Sequence, residues 1–306
     1  MKSSLVPAIA VPPASPAPPG EPAARKPTLG VLGGMGAMAT VDFLRKLVEA
    51  TPAERDQEHI PLIVRFCPEV PDRAAALAGA GPSPQPALVA AAVELAAAGA
   101  QALAIPCNTA HYWYDALCAA VPIPILHIVD AAVAELQRRG MSPPGRPKGE
   151  SPSAPREGSP MFPPGRPKGE SPSAPREGGP VSGPVGLLAT SGTVHAAVYP
   201  QRAPQLRWVV PSAAELDKLV MPGIRAVKAQ RLAEGRALLG AAAEALVARG
   251  ARVIVLGCTE VPVALDPTAD AERLLGVPLL DATAALAARC VAWARHGQTP
   301  VPQGSA

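Results

Sequence analysis

Two cysteines occupy matching contexts in this chain. The runs "AIPCNTAH" (104–111) and "VLGCTEVP" (255–262) are each an apolar stretch that stops at a cysteine followed by small polar residues. Two thiols placed this way could face each other across one carbon atom. Inverting a stereocentre by proton transfer needs such a pair. One group removes the proton from one face, and the other returns a proton to the opposite face of the planar carbanion. Each thiol is expected at a helix N-terminus, where backbone N–H groups and the helix dipole would lower its pKa. The residues that follow, Asn108 and Thr109 in one run and Thr259 and Glu260 in the other, suit a helix start and the positioning of a substrate carboxylate.

Short apolar runs alternate with helical patterns along most of the sequence. "TLGVLGG", "IPLIVRF", "QALAI" and "IPILHI" read as strands, separated by helices near 37–50, 86–98 and 107–120 and followed by one near 130–139. "PVGLLATSGT", "LRWVV", "RVIVLG" and "VPLLD" resume the series, with a mostly helical stretch at 212–249 and a closing helix at 281–295. This alternation implies parallel sheets with right-handed crossovers. The two halves also resemble each other. With "LGVLGGMGA" (29–37) over "VGLLATSGT" (185–193), Gly30 meets Gly186 and Gly36 meets Gly192. With "GAQALAIPCNT" over "GARVIVLGCTE", Cys107 meets Cys258, and the opening glycine lies 77 and 72 residues ahead of its cysteine. The expected fold is α/β: two similar doubly wound parallel-sheet domains related by a pseudo-twofold axis. Ligands of open parallel sheets bind beyond the carboxyl ends of the strands, so the active site belongs in the cleft between the domains. The loops "GGMGAMAT" and "ATSGT" lie at the same ends and are rich in free N–H groups. They bring Met35, Thr190, Ser191 and Thr193 to a candidate anion site.

Half of the 40 prolines fall in residues 1–27 and 141–180. Those segments also contribute +2 each to a net charge of +3, so the remainder carries about −1 and has no basic face for nucleic acid. Residues 1–27 read as a disordered Ala/Pro-rich tail. In 141–180 the run "PPGRPKGESPSAPREG" occurs twice, at 143–158 and 163–178, and reads as a disordered duplicated insert. The expected domains are 28–128, to which the helix 281–296 returns, and 129–280, which contains the insert. Five cysteines without metal-ligand spacing argue against a disulfide scaffold or a zinc site. No apolar run approaches the length of a membrane span, and prolines break up the apolar start of the chain. A reducing cytoplasm is the expected location.

The motifs "LGGMGAMAT", "TPAERDQEH", "PCNTAH", "LLATSGT" and "GCTE", in this order over about 28–140 and 181–296, resemble the aspartate/glutamate racemase family. Within it, the chain is most similar to the cofactor-independent aspartate racemases. The resemblance implies that Cys107 and Cys258 are the acid/base pair and that no cofactor or metal is required. It also implies a small dicarboxylic amino acid as substrate and a homodimer. Arg55 in "ERDQEH" and Lys228 in "AVKAQ" match basic residues that hold the distal carboxylate. Glutamate racemases usually carry histidine at the position of Glu260 and an acidic "DSG"-type opening, and both are absent here, which favours aspartate. Hydantoin racemases, maleate isomerases and arylmalonate decarboxylases share the scaffold, so a single-cysteine isomerase or decarboxylase is the rival reading. A two-lobed small-molecule binding protein is the non-enzymatic one.

Taken singly, a cysteine is more often core than catalyst, and Cys67, Cys118 and Cys290 are read as core. His111, one turn after Cys107, is read as a supporting histidine and not as half of a Cys–His pair. "GMGAMA" (34–39) fits a dinucleotide fingerprint, but Glu54 and Asp56 precede the second strand where an acidic residue should follow it.

Overall fold

The computed structural model describes residues 26–140 and 183–296. Strands β1 (Leu29–Gly33), β2 (Leu62–Phe66), β3 (Ala102–Ala104) and β4 (Ile125–Leu126) form one sheet. Strands β5 (Val185–Leu188), β6 (Trp208–Val209), β7 (Val253–Leu256) and β8 (Leu279–Asp281) form a second. The strand orders are β2-β1-β3-β4 and β6-β5-β7-β8, and every pairing is parallel. The two sheets therefore repeat one topology, as the sequence repeat requires.

The repeat extends to register. Gly30 of β1 stands opposite Leu103 of β3, and Gly186 of β5 stands opposite Ile254 of β7. Leu103 and Ile254 each lie four residues before a cysteine, so equivalent registers deliver both thiols to equivalent strand ends. The paired glycines have a shared steric reason. A Cβ on Gly30 would come within 2.6 Å of the Leu103 side chain and 2.8 Å of Ala100, and one on Gly186 within 3.1 Å of Ala251 and 3.2 Å of Ile254.

Side-chain alternation sorts each strand between two cores. Val31, Ala102 and Ala104 of the first sheet, with Val185, Leu187, Val253 and Val255 of the second, share one central cluster. The helices Ile128–Arg138 and Ala282–His296 also contribute to it. The opposite faces pack outward. Leu32 and Leu103 meet the helix Gln85–Ala97, and Leu188, Ile254 and Leu256 meet the helices Met221–Lys228 and Leu232–Ala248. Burial on both faces explains why these strands read as unbroken apolar runs. The helix Ala282–His296 packs on Ala37–Ala50 and on Ile128–Arg138. Lys46 of the first of these pairs with Asp281 at 2.5 Å.

Most expected elements lie within a few residues of their sequence positions. The helical stretch at 212–249 is divided: a π-helical turn, Leu216–Val220, precedes Met221–Lys228, and Gln230 at φ 61° separates that helix from Leu232–Ala248. The short helices Arg73–Leu77 and Ala269–Leu275 were not anticipated. The tail through residue 25 and the insert at 141–180 lie outside the described residues. Among the described residues, no helix is long and apolar enough to cross a membrane.

Candidate active site

Cys107 leaves β3 through Ile105 and Pro106 and enters a 3-10 turn, Thr109–Trp113. His111 fixes this corner. Its Nε2 accepts a hydrogen bond from the Ile128 N–H at 3.2 Å, so its Nδ1–H donates to the Cys107 carbonyl at 2.9 Å. Both ring nitrogens are thereby used and the ring is neutral, with burial pushing its pKa down to about 4. His111 holds the backbone of Cys107 and leaves the thiol alone. His127 lies beside it with its ring tilted by 56°, and accepts from the Val129 N–H at 3.1 Å, capping the helix Ile128–Arg138.

Cys258 follows β7 and Gly257 and precedes a helix of only four residues, Val261–Ala264. Its Sγ–H donates to Glu260 Oε2 at 3.1 Å, and Thr259 Oγ1 donates to the same oxygen at 3.4 Å. The thiol is raised well above its ordinary pKa, first by burial and then by the Glu260 carboxylate. This corrects the expectation of a lowered value. One turn of helix supplies little dipole, whereas loss of water and an adjacent negative charge both disfavour thiolate.

Both thiols line one cavity of about 210 Å³ between the two halves. Met35, Asn108, Thr109, Thr190, Lys228, Thr259 and Glu260 line it too, as the sequence suggested. The Tyr199 hydroxyl donates to Asn108 Oδ1 at 2.6 Å, which fixes the amide so that Nδ2 is the free donor. That Nδ2 is buried without a hydrogen-bond partner, in a residue that lines the cavity. Thr109 from the first half shares hydrogen bonds of 3.0 and 2.9 Å with the hydroxyls of Thr190 and Thr193 from the second.

Three expected residues stand elsewhere. Thr193 is fully buried behind Thr190, and the Ser191 hydroxyl rests 3.6 Å from the Met221 sulfur, so neither lines the cavity. Arg55 is on the surface, 74% exposed, paired with Glu58 at 2.6 Å. The physical reason is topological. Arg55 precedes β2 and so lies at the amino edge of a parallel sheet whose site is at the carboxyl edge. The cavity wall instead includes Asp72 and Arg73, which follow β2, and Met221, Ile224 and Arg225. The strand-end rule that located the cysteines also covers "FCPEVPDR". Arg225, three residues before Lys228, was legible as a helical neighbour in "IRAVK". Arg73 is held in place by donating to the carbonyls of Val70, Pro71 and Met35 at 3.1–3.2 Å. Cys67 and Cys290 are buried as expected, whereas Cys118 is exposed.

The pseudo-twofold axis is visible in how the halves touch. Gly36 of the first half lies against the second cysteine motif, where a Cβ would come within 2.8 Å of Glu260 Oε1. Gly192 of the second lies against the first motif, where a Cβ would be 3.2 Å from Thr109. Each glycine loop thus meets the cysteine motif of the opposite half. A carboxylate beside Gly36 also opposes a pyrophosphate there, so the "GMGAMA" loop is not a dinucleotide cradle. Glu260 itself, set against Cys258 and 3.9 Å from Lys228, cannot hold a substrate carboxylate as the sequence reading had it. Like charges would repel.

The family model for Asp/Glu/hydantoin racemases matches residues 32–145 and 174–290, well over half of the chain and nearly all of both sheets. The chain belongs to the Asp/Glu/hydantoin racemase family. Among solved structures of similar fold is an aspartate racemase from Picrophilus torridus, at 25% identity and a TM-score of 0.66, covering 88% of this chain and 94% of that one. A glutamate racemase isoform from Bacillus anthracis, at 15% identity and a TM-score of 0.55 over 89% of this chain and 83% of that one, shares the fold. By sequence, a broad specificity amino-acid racemase, RacX of Bacillus subtilis, is 29% identical over 114 residues. That match spans 35% of this chain and about half, 48%, of the relative.

Proposed function

We propose that this member of the racemase family interconverts L- and D-aspartate by proton transfer between Cα and two cysteines, without a cofactor. The observation that carries the reading is one cavity walled by both Cys107 from one half and Cys258 from the other. A thiolate on one side takes the Cα proton and becomes a thiol. The C–H electron pair is left on Cα and delocalises into the α-carboxylate. The opposite thiol then delivers its proton to the other face and becomes the thiolate. The two thiols exchange roles for the reverse direction.

The planar intermediate places extra charge on the α-carboxylate. The free Nδ2–H of Asn108 is a pre-oriented donor for it, since Tyr199 occupies the amide oxygen. The distal carboxylate needs cations. Lys228 and Arg225 share one face at the end of the helix Met221–Lys228 and both reach the cavity. In this reading Arg225 takes the part that sequence resemblance gave to Arg55. Five free cysteines suit a reducing cytoplasm, the location we propose.

The test is incubation of each enantiomer of aspartate with the purified protein in heavy water, with and without pyridoxal phosphate. Deuterium at Cα with inversion, at the same rate in both samples, is expected. Absence of exchange, or exchange only with the added cofactor, overturns the reading. Turnover confined to neutral amino acids removes aspartate as the substrate.

A further inference from the structure

The hydrogen bond that fixes Asn108 comes from the other half of the chain, and its donor is held from the protein surface. Tyr199 sits in the five-residue helix Val198–Arg202, between β5 and β6. So short a helix has no stability of its own. It is also entered through Ala197 at φ 49°, a left-handed conformation that alanine rarely adopts. Its place is therefore set by what grips it. On its own side, Trp208 of β6 packs edge-on against the Tyr199 ring at 5.3 Å and donates from Nε1 to the Ala203 carbonyl at 3.1 Å. On the far side, Arg202 reaches across to the first half. Its Nε and Nη2 donate to the two oxygens of Asp130 at 2.7 Å each, and its guanidinium carbon lies 5.3 Å from the centre of the Tyr114 ring. Both partners are themselves anchored. Asp130 stands in the first turn of the helix Ile128–Arg138, and the Tyr114 hydroxyl donates to the Ile125 carbonyl of β4 at 3.2 Å. Tyr199 and Arg202 are one helical turn apart, at i and i+3, so they share a face.

We propose that Arg202 is a positioning residue for the reaction: its two-pronged grip on Asp130, over the Tyr114 ring, sets the helix that brings the Tyr199 hydroxyl to Asn108. This deepens the racemase reading above and rests on it. Arg202 touches no substrate and acts through Tyr199. The consequence lies in one amide. While Tyr199 donates to Oδ1 at 2.6 Å, Nδ2 points the other way and stays a donor for the α-carboxylate, which gains charge in the planar intermediate. When the helix shifts, Oδ1 loses its donor and the amide is free to turn over. It then presents oxygen to the carboxylate, and a donor becomes a repelling acceptor. The shape of the guanidinium matters as well as its charge, because only a planar fork bonds both carboxylate oxygens while lying beside a ring. The side chains of Arg202 and Asp130 are 36% and 42% exposed, so water screens the pair and its effect on rate is modest.

Asn108 is the one asparagine of the chain, so its amide can be observed alone. Cell-free synthesis with side-chain 15N-labelled asparagine yields a protein with one pair of carboxamide signals in a proton–nitrogen NMR spectrum. Tyr199→Phe should move that pair from its wild-type position, and Arg202→Gln should move it part of the way in the same direction. In aspartate turnover, Tyr199→Phe is expected to lower kcat by about 10–100-fold, as for loss of a hydrogen bond to a charged group. Arg202→Gln should lower it by about 2–5-fold. KM stays nearly constant in both, since the amide donor counts most in the transition state. The double variant should be no slower than Tyr199→Phe alone, because Arg202 works only through that hydroxyl. If Arg202→Gln does not accumulate as folded protein, Asp130→Asn opens the clamp from the other side and is read in the same way. An Asn108 signal that stays in place in the clamp variant overturns the proposal, and so does a wild-type kcat. Losses that multiply in the double variant would give Arg202 an effect independent of Tyr199 and equally overturn it, as would a raised KM at unchanged kcat. A wild-type protein that exchanges no α-proton defeats the racemase reading instead, and the NMR arm still decides whether Arg202 holds Asn108 through Tyr199.

Discussion

A cysteine serves as acid and base in turn only if both of its protonation states can be reached inside one site, and here the two thiols achieve this in unlike surroundings. Cys258 is a buried thiol donating to a carboxylate. Cys107 has its backbone pinned by a neutral histidine. If the two act on opposite faces of Cα, Cys107→Ser and Cys258→Ser should each lower racemisation by at least about 10²-fold, since serine is far too weak an acid to provide base at neutral pH. Each variant should still exchange the α-proton of one enantiomer through its surviving thiolate, returning deuterium to the same face, and the two variants should prefer opposite enantiomers. NMR of separate L- and D-aspartate samples in heavy water reads this out. Near wild-type racemisation by either variant would replace the two-base mechanism with a single-cysteine reaction.

The elements that hold the thiols begin and end in equivalent ways in the two halves. After β4, His127 caps the helix Ile128–Arg138. After β8, Asp281 accepts from the Thr283 N–H at 2.7 Å and starts the helix Ala282–His296. These two helices pack together in the central core. The histidine cap makes the first of them sensitive to acid. His111 and His127 are buried and neutral, with pKa values pushed below the ordinary 6.5 by loss of water, to about 4 for His111. The unfolded chain therefore binds protons that the folded chain refuses. The associated stability is fully present above about pH 6.5 and is lost as pH falls from there toward 4. For His111 alone the loss between pH 7 and pH 5 is roughly 2 kcal/mol. Urea unfolding at the two pH values should show it, and His111→Gln should flatten the dependence. An identical slope in that variant would place the acid sensitivity elsewhere.

At the scale of the whole molecule, two sheets of one topology share a central core and enclose the site where each glycine loop meets the cysteine motif of the opposite half. One surface remains apolar. Val64 and Phe66 of the edge strand β2 are each 40% exposed, and Met38 and Val41 of the helix Ala37–Ala50 are 46% and 54% exposed. Strand alternation puts Val64 and Phe66 on the same face as Leu62, which packs toward that helix. Apolar side chains on an unpaired edge strand invite pairing with another chain. In keeping with the homodimer that family resemblance implies, we propose that a second copy covers this face. Light scattering should then give a dimer for the wild type and a monomer for the Val64→Glu, Phe66→Glu double variant, with unchanged circular dichroism. A monomeric wild type would exclude the arrangement.

The sequence by itself determined the strands, most helices, the internal repeat and both cysteines. These depend on local signals: apolar runs buried on two faces, helical periodicity, and glycines forced by the close approach of paired strands. A repeated register then carries one thiol to each matching strand end. What only the tertiary structure decided is which charges reach those thiols. Arg55 and Arg225 are both arginines near family-like motifs. The parallel sheet puts the first at its amino edge, against Glu58, and the second at the cavity. Glu260 looked like one more polar residue after a cysteine until folding set it on the Cys258 sulfur, beside Gly36 from the other half of the chain. Contacts between residues more than 200 positions apart leave no periodic trace in the sequence. They are fixed when the two halves close on each other, and the closure makes two similar cysteines chemically unequal.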